Sequence, residues 1–206
     1  MSTIVRTASH QAVTRRDKNS FGTVGADARG ARVIALLAHV GGGIDGLWDG
    51  LIHPFLGLDH VLAMVTVGVL AMTMARPLAA PGVFLGGVAL GGALGIVGVP
   101  APGAEIAIAL SVVALAAVLI AGPRLQPSTV FVLVGAAALV HGHAHGAEAP
   151  SAAAPLVYVV GFVVATAALH LSGAGVGTLV RHRAPARATL GGLVMCAGAG
   201  ITAGIL

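Results

Sequence analysis

From residue 54 to the C-terminus this chain is a run of six apolar stretches, and every Arg after Arg32 lies in a joint between them or at its edge. The stretches run at about 54–75, 78–98, 102–122, 127–146, 154–179 and 187–206. Each is close to the roughly 20 residues that a helix needs to cross the hydrocarbon core. Gly and Pro punctuate the joints: Arg76-Pro77, Pro100 with Pro102, Pro123 with Pro127, Pro150 with Pro155, and Pro185. Only 9% of the 206 residues are charged, against roughly 25% in a soluble domain. The fold class expected is therefore an all-α integral membrane protein, with six transmembrane helices in an antiparallel bundle, in sequence order, joined by short connections.

The formal charge of +4 is not a nucleic-acid signal. Residues 1–38 hold six basic and two acidic side chains, whereas residues 39–206 hold five Arg and five acids and balance to zero. The joints after spans one, three and five carry Arg76, Arg124 and the Arg181, Arg183, Arg187 group; those after spans two and four carry none. Basic loops stay cytoplasmic, so span one begins outside and the C-terminus ends outside. The expected location is the cytoplasmic (inner) membrane. The basic tail, followed by Val33-Ile34-Ala35-Leu36-Leu37-Ala38, reads as a signal peptide cleaved near Ala38. A later translation start and a disordered extension are the alternatives. Cleavage would leave residues 39–53 as an external segment with His39 at the mature N-terminus.

Two strings break the apolar pattern: His53-Pro-Phe-Leu-Gly-Leu-Asp59-His60 and His141-Gly-His143-Ala-His145-Gly-Ala-Glu148. An ionised side chain at mid-span costs about 2.5–3.5 kcal/mol on insertion scales, so such groups are rarely incidental. The loop charges bring them together. Span one enters from outside with His53 near its N-cap and Pro54 in its first turn. Asp59 and His60 follow about 9–10 Å deeper, with His53 and His60 on one face. Span three enters from the same side with Glu105 about one turn in. Span four delivers His141 and His145, one turn apart, to its outer end, with Glu148 just beyond.

This ligand set is nitrogen and oxygen, with no thiolate, because Cys196 is the one cysteine. Imidazole suits Zn, Cu, Fe and Ni, and carboxylates offset a dication. Asp59 beside His60 is either a ligand or the partner that orients the ring. His143 points away from the His141/His145 face, and His182 reads as an interfacial hydrogen-bonder. His170 lies deep in span five and is either a packing histidine or a further station on a metal path. The glycines of spans two and six read as close helix packing.

The first string, with Val61, Met64, Val67 and Gly68 after it, closely resembles the span-one signature of the HupE/UreJ family. The second resembles that family's Phe-His-Gly-x-Ala-His-Gly-x-Glu signature, with Val140 in place of the Phe. Pro102-Gly-Ala-Glu105 with Ser111 resembles its third span. The resemblance covers about residues 50–206. It implies a nickel permease, or in some members a cobalt permease, tied to hydrogenase and urease maturation. It also implies His53, Asp59, His60, Glu105, His141, His145 and Glu148 as metal-handling positions, with His39 filling the place of a mature N-terminal histidine.

The function expected is a secondary permease that imports a divalent transition metal. It has no prosthetic group and no enzymatic activity, and Ni²⁺ or Co²⁺ is its substrate. Expected partners are the metal ion and the lipid bilayer, not nucleic acid, with a homo-oligomer left open. The competing readings are an intramembrane zinc hydrolase built on His141, His145 and His60, and a metal-binding sensor or accessory subunit.

Overall fold

The computed structural model describes residues 46–149 and 155–206. The expected signal peptide and His39 lie outside them. Among the described residues the chain is helical throughout, with no strand: α1 (Gly46–Phe55), α2 (Leu58–Ala71), α3 (Ala79–Ile96), α4 (Ala104–Ala121), α5 (Pro127–Glu148), α6 (Pro155–Val180) and α7 (Ala184–Thr202). Four of these, α3 to α6, are each long and apolar enough to cross a membrane, and α1 with α2 forms a fifth, broken unit bent by 80°. Large apolar side chains such as Leu90, Val132, Leu171, Leu179 and Leu193 face outward. A soluble domain avoids that outer surface, and lipid requires it.

The first span differs from expectation. It does not run unbroken from residue 54, because α1 ends in a 3₁₀ turn over His53–Phe55 and α2 starts only at Leu58. Pro54 has no N–H to give and is buried at the turn. The turn closes with the Leu56 N–H donating to the His53 carbonyl at 3.0 Å. Gly57 is then extended (φ −108°, ψ 122°) and caps α2. His53 and His60 therefore belong to different helices, and the shared helix face expected for them does not exist. They are brought together by the bend.

Packing also departs from sequence order. The closest pairs are α3 with α5, α2 with α6, and α4 with α7. Lipid gives apolar helices no hydrophobic reason to associate, so close pairing depends on small residues that let backbones touch. A Cβ added to Gly91 or Gly95 of α3 would land on the carbonyls of Leu139 or His143. One added to Gly142 or Gly146 of α5 would land on those of Val88 or Gly92. The contacts advance together along both helices, so α3 and α5 lie parallel. The α2–α6 pair is parallel as well, with Gly68 against the His170 carbonyl and, further along both helices, Gly177 against Val69 and Met72. By contrast α4 and α7 run antiparallel, Gly191 meeting Ile120 and Gly198 meeting Val112. The packing role expected for the span-two glycines holds for Gly87, Gly91 and Gly95, whereas Gly86 and Gly192 face open space.

Met64, Val67, Phe84, Val112, Leu115, Leu119, Val134 and Phe162 fill the centre. At one end Arg187 falls inside the first turn of α7 instead of in the preceding joint. Its buried guanidinium lies against Gly122, where a left-handed backbone (φ 59°) and the missing Cβ leave room for it.

Candidate metal site

At the N-terminal end of α2 and the C-terminal end of α5 the broken span and the tight α3–α5 pair converge. The bend after His53 aims its imidazole back over the first turn of α2. The Gly142 and Gly146 contacts hold α5 at backbone distance from α3 and so fix where His141 and His145, each just before one of these glycines, point.

Three ligand atoms, one each from His53, His145 and Glu148, lie within 4.8 Å of one another. The Nε2 of His53 is 3.4 Å from Oε2 of Glu148. The His53 and His145 rings meet edge to face with centroids 4.6 Å apart. Ligands bound at about 2.1 Å to one metal are separated by about 3–4 Å, so a small rotation of these side chains suffices to close on an ion.

His60 stands beside the triad, its ring centroid 4.4 Å from that of His145 and 4.9 Å from that of His141. Asp59 orients it. Oδ1 of Asp59 accepts from the His60 backbone N–H at 2.8 Å and from its ring Nδ1–H at 2.5 Å. With Nδ1 committed, the Nε2 of His60 is the nitrogen left free, and it is buried with no partner among the described residues. His141 is arranged the same way, with Nδ1–H donating to the Ala137 carbonyl at 3.0 Å and Nε2 unpartnered. Neither nitrogen of His145 has a partner. Burying a polar atom without a hydrogen bond costs about 1–3 kcal/mol, so four such nitrogens at one place call for a ligand.

Asp59, His60, Glu105, His145 and Glu148 also line a cavity of about 390 Å³, completed by Ile201 and Thr202 of α7. Glu105 is exposed there and lies outside the His53–His145–Glu148 triad, so it supplies charge to the cavity wall. The remaining histidines divide. Nε2–H of His143 donates to the Val99 carbonyl at 2.6 Å, which ties α5 to the α3–α4 connection. His182 is exposed in the α6–α7 joint.

Three aromatic residues complete the surroundings and were not anticipated from sequence. Phe162 stacks on His145 with centroids 4.0 Å apart, Tyr158 meets the His53 ring at 5.9 Å, and Phe84 meets His141 at 6.1 Å. Tyr158 and Phe162 are one turn apart on α6, among a handful of aromatics in the whole chain. That scarcity was the available signal.

The HupE / UreJ protein family matches residues 30–201, which takes in both histidine strings and nearly all of the helices. The chain belongs to the HupE/UreJ family. Protein HupE of Rhizobium leguminosarum bv. viciae is 41% identical over 171 residues, covering 81% of this chain and 90% of that protein. No solved structure matches. As a HupE/UreJ member with several apolar helices, the chain is a multi-pass membrane protein.

Proposed function

We propose that this HupE/UreJ protein is a secondary permease that carries a divalent transition-metal ion, Ni²⁺ foremost and Co²⁺ next, through the cytoplasmic membrane to the cell interior. The metal would serve hydrogenase or urease maturation. The observation that carries this reading is the convergence of unpartnered nitrogens of His60, His141 and His145 beside a carboxylate-lined cavity. The one-sided Arg distribution supports an orientation with that end of the helices outside the cell.

On this reading Glu105 and Glu148 draw cations to the cavity. His53, His145 and Glu148 then replace part of the hydration shell, with His60 and His141 next in line. Cleavage after Ala38 would add His39 and its amine to the external side. Partial coordination by several neutral imidazoles suits a carrier, because an ion held in a closed cage would not leave.

Uptake of radioactive nickel into proteoliposomes, with His60→Ala beside the parent protein, tests the proposal. Uptake that falls at least tenfold in the variant supports the permease. Binding without uptake favours the sensor or accessory reading, and lipid or peptide hydrolysis without uptake favours the hydrolase.

A further inference from the structure

One stripe of α6 carries Tyr158, Phe162, Thr166 and His170 at four-residue intervals, and all four are buried. That spacing keeps them on one face, over about 18 Å of helix. Tyr158 and Phe162 touch the histidines of the outer cluster, so the stripe continues that cluster into the protein.

His170 closes the far end. Its Nδ1 is 2.8 Å from the carbonyl of Met64, one turn beyond His60 on α2. A carbonyl only accepts, so Nδ1 carries the proton and Nε2 is left with a bare lone pair. That Nε2 is buried and unpartnered, and so is Oγ1 of Thr166 one turn above it. His170 is 4% exposed and Thr166 0%.

His141 repeats the arrangement, with one nitrogen tied to a carbonyl and the other open. The Phe84 ring touches both imidazoles, with centroids 6.1 Å from His141 and 5.1 Å from His170. A histidine buried only for packing gains by pairing both nitrogens. One held by a carbonyl at Nδ1 with Nε2 open is set as metal-ligating histidines are set.

We propose that His170 Nε2, with the Thr166 hydroxyl above it, is a second binding station for a borderline divalent cation, deeper than the His53–His145–Glu148 triad and across Phe84 from His141. It takes its direction of travel from the permease reading, but its binding chemistry stands apart from that reading. Among the described residues no carboxylate accompanies it, so it holds the ion more weakly than the outer triad. Stations in series with a weaker inner member let an ion enter firmly and still be released.

The test uses the full-length protein and Ni²⁺ alone as probe. In an outer-site variant with His53, His60, His141 and His145 all replaced by Ala, equilibrium dialysis is expected to leave one weaker equivalent of bound Ni²⁺, which His170→Asn then removes. An Asn amide can still donate to the Met64 carbonyl but offers no ligand at the Nε2 position. In the otherwise parental protein, His170→Asn is expected to cut proteoliposome uptake about tenfold or more while leaving the outer affinity within about threefold.

The station is overturned if no residual Ni²⁺ binds to the folded outer-site variant, if the residual site survives His170→Asn, or if His170→Asn transports at the parental rate. Should His170→Asn not fold, Thr166→Val decides in the outer-site-variant background. A severalfold weaker residual site supports the station, and an unchanged one overturns it. Absence of uptake by the parental protein defeats the permease reading and leaves the dialysis result to judge the station.

Discussion

Asp59 and His60 are joined twice: one carboxylate oxygen takes both the backbone N–H and the ring Nδ1–H of the next residue. The ring is thereby held in a single tautomer with Nε2 turned to the interior, at the first turn of a helix whose preceding glycine leaves space for both side chains.

Replacing Asp59 with Asn removes the charge from that bond, roughly halving its strength, and lets the ring adopt the other tautomer. Loss of an orienting partner typically costs 10–100-fold in metal affinity or activity. Asp59→Asn is therefore expected to lower nickel uptake by about that factor, while Asp59→Glu retains part of it. Uptake by Asp59→Asn at the parental rate would show that Asp59 neither orients nor binds.

Gly57 is the glycine whose absence of a side chain matters most to the site. A Cβ there would stand 2.6 Å from Asp59 Oδ1 and 2.5 Å from His60 Nδ1. The backbone at Gly57 is extended, so Ala strains nothing locally; it moves the pair. Gly57→Ala should leave expression and the thermal midpoint near parental values and reduce Ni²⁺ binding several-fold, measured by dialysis.

The α3–α5 contact makes an opposite pair of predictions. Gly142→Val places a side chain on the Val88 carbonyl, forcing the two helices apart. A cost of about 2 kcal/mol or more, and a fall of about 4–8 °C in Tm, is expected in detergent. Gly86→Ala meets nothing within 4 Å and should leave Tm unchanged. Equal behaviour of the two variants would contradict the packing described.

Membrane orientation can be read by cysteine labelling in a Cys196→Ser background. With the odd-numbered joints cytoplasmic, Ala101→Cys should react with a membrane-impermeant maleimide on intact cells. Arg76→Cys should react only after permeabilisation. The reverse pattern would put the carboxylate-lined cavity inside and turn import into export.

Much of this was legible in the chain itself. Helix positions followed from apolar length alone: the stretches expected at 78–98 and 127–146 became Ala79–Ile96 and Pro127–Glu148. The chemistry-bearing residues stood out because polar groups are costly in lipid, and the two histidine strings carried the family. The break after His53 was less visible, although Pro54 and Gly57 sat in plain view. Read as an N-terminal Pro, the first seemed to start a helix, whereas it closes a turn.

What the sequence determined by itself is which segments form apolar helices and where costly polar side chains interrupt them, since transfer into lipid acts on each segment separately. Tertiary structure alone decided that α3 pairs with α5 and α2 with α6, and so that Phe162 meets His145 and His170 meets Met64. In lipid no hydrophobic drive selects a helix's partner. Selection falls to the fit of one glycine-flattened backbone against another, a property of shapes in three dimensions.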